Sequence, residues 1–140
     1  VTNYLEPYDL WPDMEKLVVG YLKAALDPVV VTTELTPLGT AFGTTLFDVV
    51  WVSSVPGGFS DGLQQEATID VQSFAKSRAD AWTRARTVHA LMYKLAGTRT
   101  PNGAIDDVNA DVPGESSYGN PNLRRIVATY RLTSRAQATA

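Results

Sequence analysis

Glu66–Gly97, EATIDVQSFAKSRADAWTRARTVHALMYKLAG, is the stretch on which the fold turns. In Glu66–Phe74, Ala67, Ile69 and Val71 alternate with Thr68, Asp70 and Gln72, the two-residue period of a half-buried strand. Ser77 stands where a helix N-cap belongs, and Asp80 three residues on makes Ser-x-x-Asp resemble a capping box. Beyond it Ala81, Ala85, Val88, Met92 and Leu95 recur at spacings of three and four, with Trp82 beside them, as on the apolar stripe of an amphipathic helix. Gly97 is a natural left-handed stop. About twenty residues at about 1.5 Å each predict a rod of roughly 30 Å, and a sheet must lie against it.

The chain of 140 residues suits one domain with a real core. Its 44% hydrophobic and 19% charged content excludes a disordered chain. No run of eighteen apolar residues occurs, so no membrane span or membrane partner is expected. The opening VTNYLEPYDLWPDMEK lacks the basic and apolar regions of a secretory signal. Absence of cysteine excludes disulfides and thiolate metal sites and fits cytosolic folding. The net charge of −3 hides an asymmetry: residues 1–75 carry 10 acidic and 2 basic side chains, and residues 76–140 carry 5 and 10. This either places charges on different faces of one domain or builds a subunit with unlike faces for stacking.

Working outward, residues 1–12 hold Tyr4, Leu5, Tyr8, Leu10 and Trp11, interrupted by Pro7 and Pro12. Such an arm packs on its own domain or docks on a neighbouring subunit. A first helix is expected over Asp13–Leu26, with Met14, Leu17, Val18, Tyr21, Leu22 and Ala25 on one face. Gly20 costs that helix up to about 1 kcal/mol relative to Ala, which points to close packing there. Asp27-Pro28 ends it. Strands are expected over Val29–Leu35 and Thr44–Ser53, with Pro37-Leu38-Gly39 turning the chain between them. In the second, Leu46, Val50 and Val52 fall on one face and Phe47, Val49 and Trp51 on the other. Such a strand is central, or one of its faces is covered by another subunit. Ser54–Gln65 reads as a glycine-rich loop carrying Phe59. Thr98–Leu123 reads as an unusually long polar loop in which Ile105, Val108, Ala110 and Val112 form a short strand or an irregular edge. Ile126–Ser134 closes the sheet with a clean period of two. The predicted class is α+β, order α-β-β-β-α-(β)-β, a mostly antiparallel sheet with both helices on one side.

No constellation carries chemistry. The single His89 lies near the stripe of the long helix without a Ser or Cys motif and reads as a packed side chain. Asp106, Asp107, Asp111 and Glu115 cluster in the long loop, but their spacing matches no EF-hand, and solvated carboxylates are the simpler reading. Pro56-Gly57-Gly58 lacks the Gly-Lys-Ser/Thr of a phosphate loop, and Ser116-Ser117-Tyr118-Gly119 lacks nucleophile-elbow spacing. Lys76, Arg78, Arg84 and Arg86 near the long helix start, and Arg124, Arg125, Arg131 and Arg135 on the last strand, read as solvated or subunit-contact charge. With a pI near 5.0, sequence-specific nucleic-acid binding is not expected. No catalytic residue, cofactor or metal is expected.

The pattern of the whole chain resembles the tail-terminator (tail-completion) proteins of long-tailed double-stranded DNA bacteriophages. The resemblance is carried by Asp70-Val71-Gln72-Ser73-Phe74, Ser77-Arg78, Ala81 and Ala85, then Val88, Leu91 and Leu95. In that family a strand of Asp/Val-x-x-aromatic character runs into a Ser/Asp-Arg corner and an Ala-rich helix. The opening helix, a Val-rich strand and a last strand ending in Tyr-Arg-Leu-Thr extend the similarity over roughly residues 13–135. Its motifs are patterns of residue type. The long loop Thr98–Leu123 departs from the smallest members.

The resemblance implies a virion structural protein at the tail–neck junction, assembled in the host cytoplasm. It implies a homo-oligomeric ring, commonly a hexamer, that caps the tail tube, ends its polymerisation and meets the head-closure or connector protein. DNA passes through the lumen unread. The expected interaction loops hold Val55, Gly57, Gly58, Phe59, Asp106, Asp107 and Tyr118, and the expected subunit contacts are Tyr8, Trp11, Trp51, Arg78, Arg84 and Arg131. An acidic lumen would let the phosphate backbone slide. The rival readings are a head-closure or head–tail adaptor ring, a tail-tube subunit, and a small α/β ligand-binding module or enzyme.

Overall fold

The computed structural model describes residues 11–61, 64–100 and 103–135. Its sheet is built on two long strands. β3 (Gln64–Ala75) pairs antiparallel with β8 (Arg124–Arg135) along their whole length, from Gln64 opposite Arg135 to Ala75 opposite Arg124. β2 (Val49–Ser60) lies antiparallel on the other side of β3, and β1 (Val30–Thr32) flanks β2. β1 runs parallel to β2, so the sheet is mixed though mostly antiparallel. The parallel step is possible because a long connection containing the 3-10 turns of Thr36–Ala41 carries the chain back before β2. Beyond β8 lie β6 (Asp107–Ala110) and β7 (Gly114–Glu115), while β4 (Thr98–Thr100) and β5 (Gly103–Ile105) pair with each other.

Two helices cover one face, as the periodicity predicts. α1 (Met14–Leu26) starts where the Asp13 carboxylate accepts the Lys16 N–H at 3.1 Å, and ends at the cis Asp27–Pro28 bond. α2 (Arg78–Tyr93) starts where the Ser77 hydroxyl accepts the Asp80 N–H at 3.2 Å, which satisfies one of the orphan donors of the first turn. Met14, Leu17, Val18 and Leu22 from α1 meet Val88 and Met92 from α2 over Val50, Val52, Ile69, Val71, Ala128, Tyr130 and Leu132. Ala81 and Ala85 let the first half of α2 lie close to Ala75 and Ile126. Ala25 is exposed rather than facing this core, and Gly20 is exposed rather than closely packed.

A smaller core lies on the opposite face of the sheet. Val49, Phe74 and Leu123 are buried there, with Leu35, Leu38, Phe42, Leu46, Phe47, Trp51 and Tyr118 packed against them. Phe74 meets Phe42 and Tyr118 edge-on, both at 5.0 Å between ring centroids. This end of the second face is therefore covered by the chain itself.

Leu46 and Phe47 belong to that cover and not to the strand, which begins at Val49 instead of Thr44. The bend has a local cause. The N–H groups of Thr44, Thr45 and Leu46 all point to the Ala41 carbonyl, and the Thr44 hydroxyl bonds back to Thr40 and Ala41. Similarly β1 stops at Thr32, because Thr32 Oγ1 accepts the Glu34 N–H and donates to its carbonyl.

Candidate interaction surfaces

Ser54–Gln65 is not a loop. β2 continues to Ser60 and β3 begins at Gln64, so Val55, Gly57, Gly58 and Phe59 lie on a two-stranded arm. Pairing passes from Val55–Thr68 to Phe59–Glu66, which places Pro56, Gly57 and Gly58 opposite Ala67 as a bulge. The bulge absorbs the proline and glycines that make the stretch read as irregular. At Gly58 φ is +100°, and a Cβ would collide with the Glu66 carbonyl oxygen. Beyond the bulge Phe59 is 57% exposed, a large apolar side chain held out on the arm.

The 98–123 segment is likewise more ordered than a polar loop. β6 and β7 add to the β8 edge, with Val108 opposite Leu132 and Glu115 opposite Ile126. Val108 and Ile105 are buried, whereas Val112, between β6 and β7, is 91% exposed. Val112 and Tyr93 join Phe59 as the exposed large hydrophobics among the described residues. In the sequence Val112 is legible only as a candidate strand residue, since nothing local separates an outward Val from an inward one.

The acidic cluster of this segment is dispersed onto arginines. Asp106 accepts both Nε and Nη2 of Arg135 at 2.9 and 3.0 Å, and Asp111 takes Arg131 through two bonds of 3.2 Å. Glu115 receives Arg78 at 3.0 Å and Arg124 at 3.3 Å. The hydrogen bond each arginine donates to its aspartate, then the aspartate's charge, raises the Arg131 and Arg135 pKa values above the ordinary guanidinium value. Asp107 is exposed and accepts the Val108 N–H. Among the described residues no group of three or more His, Cys, Asp or Glu could hold a metal ion.

Several residues expected at subunit contacts, and Tyr118 of the expected interaction loops, have partners within the chain. Trp51 donates its indole N–H to the Thr33 carbonyl at 3.0 Å. Arg84 reaches the Phe74 carbonyl at 2.7 Å and the Asp48 carboxylate at 3.0 Å. Tyr118 packs on Phe42 and Phe74 beneath Arg125, whose guanidinium stands 5.3 Å from the ring centroid. Trp11 is half-buried, and Tyr8 lies outside the described residues. The start of α2 keeps a basic, aromatic surface in which Arg78 and Arg86 approach the Trp82 ring at 5.7 and 5.8 Å.

Away from that smaller core, the sheet face without helices is polar and half-exposed. Ser53, Thr68, Asp70, Thr129, Arg131 and Thr133 project from it, tied in part by the Thr129 hydroxyl donating to Asp70 at 2.7 Å. His89 is half-buried against Tyr130, its Nδ1 2.9 Å from the phenol oxygen, so the lone imidazole packs against its own sheet.

This architecture is found elsewhere. A chain in the virion of a native gene transfer agent (GTA) particle has a similar structure, with a TM-score of 0.55 over 81% of this chain and 84% of its own. The fold is shared. At 17% sequence identity the likeness extends to the fold alone. A second solved structure covers 85% of this chain and 89% of its own at 14% identity, with a TM-score of 0.48 that adds nothing further. No family model matches the chain, and no curated protein matches it.

Proposed function

We propose that this protein is a virion structural subunit, a tail terminator that assembles into a ring of six copies on the end of a tail tube. The reading is supported by one observation above the others: a chain of the gene transfer agent virion shares this fold over most of both chains. The surface is consistent with such work. A long arm carrying an exposed Phe59 supplies reach, and the basic start of α2 gives charge of one sign on one side. A ring needs two unlike patches that close on each other, which a chain with such separated features can provide.

In this role the ring ends tube polymerisation and offers its other side to the head-closure protein, while DNA passes through the lumen without sequence-specific contact. No residue has a catalytic part. The arm segment Val55–Phe59 meets the tube or connector, and Arg78 with neighbouring α2 charges meets the next subunit.

Native mass spectrometry with electron microscopy of the purified protein tests the proposal. Six copies in a closed, non-elongating ring are expected. Twelve copies would favour an adaptor, extended stacks a tube subunit, and a monomer or dimer a small binding module. Phe59→Ser is then expected to leave rings intact and to reduce tail capping in an assembly assay. Unchanged capping removes the arm from the contact.

A further inference from the structure

The charge asymmetry of the sequence becomes a side-to-side asymmetry of the fold. The sheet order runs β1-β2-β3-β8-β6, with α1 lying against β1 and β2 and α2 against β3 and β8. Residues 11–61, which build α1, β1 and β2, carry six carboxylates against two lysines. Residues 76–135, which build α2 and the strands from β4 to β8, carry ten basic side chains against five carboxylates. One lateral flank of the subunit is therefore negative and the opposite one positive.

On the positive flank Arg78, Trp82 and Arg86 recur every four residues and share one stripe of α2. Arg78 reaches Glu115 of β7, whereas Thr83 and Thr87 line the cleft beside Leu26 of α1, so the stripe is turned away from α1. Arg78 and Arg124 share the single carboxylate of Glu115, and Arg86 has no ion pair among the described residues. The positive excess is held over the half-buried Trp82 ring, which both Arg78 and Arg86 approach. Tryptophan and arginine are the side chains that most often anchor a contact between proteins.

On the negative flank β1 is the outermost strand. Asp27 stands before it and Glu34 after it. Both are exposed, and neither carboxylate has an ion pair among the described residues. Between them Pro28 is exposed and Val29 half-buried, an apolar surface on which an indole can rest. Lys23, in the last turn of α1, offsets one of these charges at most.

We propose, resting on the ring reading above, that the Arg78–Trp82–Arg86 stripe of one subunit seats on the Asp27–Glu34 flank of the next copy. The occupant is a second copy because one chain carries both halves of the contact. The two patches lie on opposite sides of the sheet, so a subunit cannot satisfy its own. Each copy gives one patch and takes the other, the heterologous contact from which a ring closes. Repulsion between like flanks opposes the pairing of two copies through the same face, which fixes the direction of assembly.

Charge reversal tests the contact, with assembly read by native mass spectrometry and sedimentation velocity, and folding by circular dichroism. One variant carries Arg78→Glu with Arg86→Glu, the other Asp27→Lys with Glu34→Lys. Each alone is expected to associate about ten-fold or more weakly than wild type. Mixed in equal amounts they are expected to assemble together, because every contact then joins a reversed α2 stripe to a reversed β1 flank or a native one to a native one. Glu34→Lys alone, away from the Asp27–Pro28 bond, is expected to act in the same direction and keeps the test open should the lysine pair not fold. Wild-type rings are expected to loosen as salt rises from about 0.05 M to about 0.5 M. Rings of wild-type strength from the lysine variants overturn this contact and leave the ring reading standing. Failure of the two folded variants to assemble together overturns it as well. A wild type that stays monomeric overturns the ring reading, and this contact with it.

Discussion

The His89 imidazole and the Tyr130 phenol share a hydrogen bond of 2.9 Å where α2 crosses β8. Tyr130 is fully buried, and burial, helped by the nearby Tyr93, pushes its pKa well above the ordinary tyrosine value. The pair fastens helix to sheet through a polar contact inside an apolar layer. A buried phenol stays because the imidazole gives it a partner.

Tyr130→Phe keeps the ring and leaves His89 Nδ1 without its partner. We expect a loss of about 1–2 kcal/mol in urea unfolding at neutral pH. The wild type has a further pH dependence. With the folded pKa raised above 10, the unfolded chain releases the phenolic proton first. The stability tied to this group is therefore full below pH 10 and is lost as pH rises above it, by at most about 1.4 kcal/mol per unit. The advantage of wild type over Tyr130→Phe in unfolding midpoint should hold to about pH 9 and narrow as pH rises through 10, and parallel curves would refute this.

Ser134 is 1% exposed, and its hydroxyl oxygen has no hydrogen-bond partner in the described structure. Its cross-strand neighbour Gln65 likewise leaves Oε1 unsatisfied. Ser134→Ala removes a buried polar atom without breaking a bond, so a gain of about 0.5–1.5 kcal/mol is expected by thermal unfolding. A clear loss would mean that the hydroxyl is satisfied in solution.

Arg125 holds the 98–123 segment to the sheet. Its guanidinium reaches Gln72 Oε1 at 3.0 Å, Ser116 Oγ at 3.0 Å and the Ser117 carbonyl at 2.8 Å. Lysine keeps the charge but not the planar fork. Arg125→Lys should cost about 1.5–3 kcal/mol and hasten protease cleavage within residues 116–121, measured as the rate of loss of intact chain.

Gly58→Ala tests the bulge. The left-handed φ and the Glu66 carbonyl together oppose any side chain, at a cost of about 1–3 kcal/mol. The strain can be relieved locally. Hydrogen exchange should therefore quicken in residues 55–60 and 64–68 while the rest of β3 and its partners near Ala128 stay protected. Uniform quickening would show that the arm and the sheet unfold together.

What can be read from the residues depends on whether a neighbour in sequence or in space sets the conformation. The faces of β8 differ so sharply that Ile126, Ala128, Tyr130 and Leu132 declare themselves, and Ser77 declares the start of α2 by its own hydroxyl. The outer half of β2 is hidden because Pro56-Gly57-Gly58 is turn chemistry, kept in the ladder only by a partner strand that tolerates a bulge. β6 and β7 are too short to show a period and exist by leaning on β8. For the surface, Asp106 and Arg135 lie 29 residues apart, as Asp111 and Arg131 lie 20 apart. No local pattern joins such pairs, so charges expected to face other molecules are found engaged with one another.

The pairing of β3 with β8 also sets a timetable for synthesis. Every hydrogen bond on that side of β3 waits for residues 124–135, which are made after α1, β2 and α2. Until then a twelve-residue edge beside an uncovered apolar layer stands open to any passing strand. The interval before residues 124–135 are available, rather than the folding that follows, is when β3 is most exposed to wrong pairing and aggregation.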